Sequence, residues 1–205
     1  MAVRIRNRFH REGPPRPKAV LASVVAMLAW KLAAESIRSM REVGYDIDLG
    51  RQYFDYVCEM LAFLAHCADR IAHRELEDAP RVEFTTALAQ RLAEIVEDNR
   101  DMLLGAAEPG QCRKHFLDLF NRAGGEYADC DYGADGPGPD FGFRRCFAAR
   151  VREGLPEKDR VWVYDQVMEI EVPEAIRALE KTLAGIFSAA AADATPRRGA
   201  ALSGE

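Results

Sequence analysis

The chain is predicted to be all-α, a single-domain bundle of six or seven helices with mostly antiparallel neighbours. Three observations predict this. Apolar residues recur at helical spacing in long stretches bounded by Gly or Pro. No alternating strand pair, hairpin turn or glycine-rich phosphate loop occurs. Finally, 205 residues with 48% hydrophobic and 30% charged composition suit one domain with a real core and leave too little for two.

Residues 1–17 are Arg-rich and then run Gly13-Pro14-Pro15-Arg16-Pro17, which reads as a disordered basic arm, since proline and charge give nothing to pack. The bundle itself spans 18–188. Helix one is placed from about Lys18 to Val43, with Gly44 as its C′ residue. Its first half is apolar on every side, which predicts a central position. Asp48 caps a second helix, about Leu49 to Glu77. Pro80 opens a third, about Arg81 to Leu104, closed by Gly105. Pro109 opens a fourth, to about Ala123, stopped by Gly124-Gly125. Residues 126–142 are crowded with Asp, Gly and Pro and form the long irregular loop. A fifth helix covers about Phe143 to Glu153. Pro156, Glu157 and Asp159 start a sixth that ends before Pro173. Val161-Trp162-Val163-Tyr164 has strand propensity but no partner strand, so it belongs to that helix. Pro173 starts a seventh, to about Ser188, and 189–205 is a frayed, disordered tail.

The formal charge is −5, unevenly spread. Arg4, Arg6, Arg8, Arg11, Arg16 and Lys18 against Glu12 give the first 18 residues +5, which leaves −10 for the rest. An acidic body repels a phosphate backbone, and the arm offers Phe9 as its one aromatic, so nucleic-acid binding is not expected. The five cysteines are odd in number and lack a Cys-x-x-Cys spacing, which fits free thiols in a reducing compartment. Ala19 to Trp30 holds one polar residue, Ser23, and imitates a signal peptide behind the basic arm. Helical sequence running on through Met40 and the prolines before it argue for a buried first helix instead. That run is too short to span a bilayer, so no membrane span is expected. The assignment is cytoplasmic, and the Ala, Arg and Gly content suits a high-GC bacterial genome.

One constellation carries chemistry. Asp55, Glu59, His66, Asp69, Arg70, His73 and Glu77 fall in one stripe about 100° wide on helix two, whose other sides are almost continuously apolar. Inward-facing carboxylates and imidazoles are how bundles build metal sites. Yet Glu59, His66 and His73 are seven residues apart, about 10 Å per step, so no two of them share an ion; only Asp69 and His73, one turn apart, can. The acids of helix three, Glu94, Glu97, Asp98 and Asp101, lie about 150° from its buried face and are expected in solvent. The preferred reading of the stripe is therefore a surface seam, with Asp69–His73 and His66–Arg70 as i,i+4 neighbours.

Weaker signals each have a plainer account. Cys58 and Cys67 point to opposite sides of their helix and cannot share zinc. Cys112 and His115 are two ligands, not a site. The loop from Asp129 to Asp140 has calcium-loop character, but Gly133 stands where a ligand belongs and Ala134 where glycine is needed. Trp162, Tyr164 and Met168 are unusually apolar for a short helix; they suit core packing or a partner-facing patch. No residue sits in a recognisable nucleophile setting, so none is assigned a catalytic role.

The chain is therefore expected to be a non-enzymatic interaction or regulatory protein, binding another protein or a second copy of itself, without a cofactor. The alternative is a metal-dependent or acid–base helical enzyme. It would be centred on Glu59, His66, Asp69 and His73 with Arg70, and a divalent transition metal would be its cofactor.

Overall fold

Alanine spacing builds the first packing contact. In α1 (Lys18–Glu42) the buried face includes Ala22, Ala26, Ala29 and Ala33, small residues that let neighbouring helix backbones approach closely. The computed structural model describes residues 18–48, 50–105, 108–133 and 137–194, of which 101–104 and 189–194 as backbone only. The predicted arm, 1–17, and most of the predicted tail lie outside the described residues.

α1 ends as its sequence predicts. Gly44 takes φ +102°, Tyr45 N–H donates to Met40 O at 3.0 Å and Gly44 N–H to Arg41 O at 3.0 Å, the paired bonds of a Schellman turn. α2 (Arg51–Glu75) follows, then α3 (Asp78–Leu104), α4 (Gln111–Glu126) and α5 (Phe141–Gly154). A 3₁₀ turn at Glu157–Asp159 leads to α6 (Val163–Gln166), a π-helical turn (Val167–Glu171) and α7 (Val172–Ala194). Among the described residues there is no strand beyond one isolated bridge between Tyr132 and Pro139. The fold is a single all-α domain.

α2 is the central helix, packed against α1, α3, α4, α5 and α7. α1, expected at the centre because it is apolar all round, instead lies against α2, α3 and α7 and leaves Val20 and Met27 in solvent. Among the described residues, only α1 is long and apolar enough to cross a membrane. It has 25 residues with a mean hydropathy of 1.6 in its most apolar stretch, and half of that stretch is buried in the bundle. The twelve-residue run singled out in the sequence is thus part of a longer candidate. The aromatic core forms where α5 meets α2: Phe63 stacks on Phe147 with centroids 4.4 Å apart and meets Phe143 edge-on at 5.4 Å.

Three boundaries differ from expectation for physical reasons. Asp48 is not the cap of α2; it stands two residues ahead of the N-cap Gly50, whose N–H it accepts at 2.8 Å in an Asx turn. α4 runs through Gly124-Gly125 instead of stopping there, and Gly124 serves close packing, described below. Pro173 does not separate two helices. The π turn absorbs it: Val172 N–H donates to Val167 O, five residues back. Helix continues from Val163 to Ala194, past the expected stop near Ser188.

Candidate functional site

The polar stripe of α2 is not a convergent set of ligands. At its ends it stays with the helix or with solvent, since Asp55 lies 3.4 Å from Arg51 one turn back and His73 and Glu77 are exposed. Its middle reaches other elements. Glu59 and Arg150 of α5 form a two-pronged pair, Nε to Oε2 at 2.7 Å and Nη2 to Oε1 at 3.0 Å, with both side chains largely buried. Arg150 Nη1 also holds Glu126, at the end of α4, at 2.7 Å. Burial raises the Glu59 carboxyl above its ordinary range, against the lowering effect of Arg150.

One helical stretch further, His66 lies flat on Phe120 of α4, with centroids 4.2 Å apart, and its Nε2 is 3.0 Å from Phe120 O. Burial lowers its pKa below the usual 6.5. A Cβ at Gly124 would stand 2.8 Å from His66 Cε1, so glycine is what lets α4 close over the imidazole. Arg70 donates to Tyr127 O at 2.9 Å, fixing the chain just past α4. Asp69 turns to α3 instead: it accepts from Arg81 Nε at 2.9 Å and from Thr85 Oγ1 at 2.6 Å. Burial pushes the Asp69 carboxyl up, but these donors outweigh it and hold it below the ordinary carboxylate range. Arg81 Nη1 is 3.3 Å from His73 Nδ1, so a guanidinium occupies the place between Asp69 and His73 where an ion would sit.

Glu59, His66, Asp69 and His73 are therefore distributed over α5, α4 and α3. Among the described residues no group of three or more His, Cys, Asp or Glu side chains is gathered as a metal site. Glu97 of α3, expected in solvent, is buried: its Oε1 accepts Gly110 N–H at 2.7 Å and its Oε2 takes Arg113, tying down the start of α4. The five cysteines form no disulfide, and burial pushes the Cys58 and Cys67 thiols up. Asp140, the twelfth position of the calcium-like loop, spends both oxygens on protein, accepting Phe143 N–H at 2.7 Å and Asp131 N–H at 3.0 Å.

A second region stands at the opposite extreme. Where α1 ends and α6 begins, a groove of ≈ 440 Å³ is lined by Tyr45, Trp162, Asp165, Glu169 and Ile170 among others. Trp162 is 68% exposed, as is Val161, and Val43 is 59% exposed beside them. Of the three sequence candidates for a partner surface only Trp162 faces outward; Met168 is buried and Tyr164 packs half-buried on the core. Asp165 and Glu169 are exposed and form no ion pair among the described residues. Lys158, the cation on the rim, is engaged with Asp46 at 2.8 Å.

The π turn that carries Glu169 and Ile170 into this groove buries Glu171, which is 2% exposed. Its Oε1 accepts from Ser39 Oγ and from Gln166 Nε2, each at 2.8 Å. The Tyr45 hydroxyl beside the groove is buried with no hydrogen-bond partner. Sequence reasoning missed Glu171 and Tyr45. The available signal was Glu171 lying two residues before Pro173, a place where a helix that continues must form a bulge.

The chain was compared with protein-family models, with characterised proteins and with solved structures, and nothing matches it in any of the three.

Proposed function

We propose that this chain is a non-enzymatic interaction protein whose groove between α1 and α6 receives a basic segment of a second copy. The observation that carries the reading is an exposed Trp162 flanked by Asp165 and Glu169, two carboxylates with no cation of their own. Tyr45 and Trp162 provide aromatic walls, and the carboxylates provide the charge. Aromatic rings with nearby acids favour a guanidinium or ammonium carried on an apolar stem.

The arm of the chain has that composition, with Arg6, Arg8 and Arg11 around Phe9. Chain length favours the arm of another copy. The groove lies beyond the C-terminal end of α1, a helix about 37 Å long, while the nine residues from Phe9 to Lys18 span at most about 31 Å when fully extended. Phe9 and Arg8 of the same chain fall short, while Arg6, twelve residues from Lys18, spans about 41 Å; the segment from Arg6 to Arg11 as a whole is therefore seated from a second copy. The contact joins two different surfaces, arm and groove, so it closes as a reciprocally arm-exchanged dimer or a larger ring, or runs on as a chain of copies. The reading also carries a cytoplasmic location, consistent with cysteines that form no disulfide, and no role for nucleic acid.

Sedimentation of the full chain at several concentrations and salt levels tests this. Self-association that weakens with salt is expected. Asp165→Arg/Glu169→Arg should abolish it, Arg6→Glu/Arg8→Glu should abolish it separately, and all four substitutions in one chain should restore it. A chain that stays monomeric throughout, or associates equally well with either pair reversed, defeats the proposal.

One observation favours a second reading, an acid–base centre: the raised Glu59 carboxyl borders a cleft of ≈ 250 Å³ that also holds His115 and Arg122. Elemental analysis of protein purified without chelator addresses its metal-dependent form. Stoichiometric iron, zinc or manganese, lost in Glu59→Gln/His115→Ala, would place it ahead.

A further inference from the structure

We propose that the cleft between the start of α5 and the start of α7 binds a small organic anion, a carboxylate on an apolar body, held by Arg144 and Arg177. The cleft has a volume of ≈ 460 Å³, within the range of small-molecule sites. Val172 and Ile176 form its apolar wall and Phe141, 62% exposed, stands at its mouth.

Its polar groups are incomplete in one sense only. Arg144 Nε is buried and has no hydrogen-bond partner. The other end of the same guanidinium reaches the Met168 carbonyl at 3.5 Å, an oxygen to which Pro173, five residues on, has no N–H to offer. Neither Arg144 nor Arg177 forms an ion pair among the described residues. The two carboxylates that border the cleft are engaged with other groups of the protein, Asp140 through both oxygens and Glu180 through one. Asp140 accepts two backbone N–H groups, and Glu180 Oε1 accepts from the Tyr132 hydroxyl at 2.9 Å. A carboxylate supplies the paired oxygens that a guanidinium without an ion-pair partner fits. The apolar wall selects an organic body over a fully hydrated inorganic ion.

The test is isothermal titration of the full chain with benzoate, with benzamide as its neutral counterpart, and with inorganic phosphate at matched ionic strength. Saturable benzoate binding is expected, with benzamide silent and phosphate weaker. Arg177→Gln, at an exposed position that leaves the fold intact, should weaken benzoate by about tenfold, the effect of losing one charge-assisted contact. Arg144→Gln should weaken it further. Trp162→Ala should leave it unchanged, which separates this site from the groove proposed above. The inference is overturned if benzoate gives no saturable heat, if benzamide binds as well, if phosphate binds and benzoate does not, or if both arginine variants bind benzoate like the parent chain.

Discussion

The polar stripe of α2 and the groove between α1 and α6 are built from the same kinds of residue, acids beside aromatic rings, yet they relate to the fold in opposite ways. Along α2, Glu59, His66, Asp69 and Arg70 each find a partner on another element. In the groove Asp165 and Glu169 find no cation among the described residues, and Trp162 finds no cover. A polar group answered inside the fold is spent on holding helices in place, whereas one left unanswered at a surface is free to recognise something else. The contrast implies that substitutions along the stripe act on stability and substitutions in the groove act on association.

The largest loss is expected at Arg150. Arg150→Ala leaves Glu59 largely buried without its partner, and should cost about 3–5 kcal/mol in urea unfolding. Replacing both, as Glu59→Leu/Arg150→Leu, should recover most of that, because the charge that needed a partner has gone. If Arg150→Ala unfolds like the parent, the stripe is not structural and the contrast fails.

Next is Gly124→Ala. Its methyl group meets the His66 ring at a distance real Cβ atoms do not adopt, so α4 must shift away from α2, at a cost of about 1–3 kcal/mol. His66→Ala in the same chain should relieve part of the cost, a coupling readable in a double-mutant cycle.

His66 also predicts a pH effect. Its folded pKa is lowered from 6.5 by burial, so below about 6.5 the unfolded chain binds the proton more readily than the folded one. Stability should be full above that value and fall as pH drops towards the folded pKa. Glu59 acts in the opposite sense: its raised folded pKa gives stability that is full below 4.5 and is lost as pH rises from there through the folded pKa. The difference between the parent and His66→Gln isolates the histidine, and a difference profile that is flat below pH 6.5 would show that the imidazole titrates alike in both states.

The sequence carried the elements further than it carried their contacts. Gly44 marked the end of α1 because a left-handed turn there needs glycine, and the loop after α4 was visible in its Asp, Gly and Pro content. The same signals misled where tertiary packing competed with local preference. Gly124-Gly125 looked like a stop signal, but Gly124 is needed for the approach of α4 to His66. Pro173 looked like a helix start, but a π turn lets one helix pass through it. The stripe of α2 was legible as a stripe. Its partners, Arg150, Phe120 and Arg81, lie 91, 54 and 12 residues away, and periodicity along one helix holds no information about them. Glu97 was misplaced for the same reason, since the groups that bury it belong to the start of α4.

The smallest effect on stability is expected at Trp162, and it is the most informative. A large side chain that is 68% exposed contributes little to the core, so Trp162→Ala should change unfolding by no more than about 0.5 kcal/mol, where a buried aromatic such as Phe63 would cost about 3–5 kcal/mol. Apolar surface of that size kept in water gives the isolated chain no return in stability. Its value appears only when a partner covers it, and aromatic residues at the centre of an interface carry a large share of binding energy. Trp162→Ala should therefore weaken self-association by more than about tenfold while the unfolding curve stays where it was. A variant that loses stability and association together would mean that Trp162 belongs to the fold after all, and that the groove is no different in kind from the stripe.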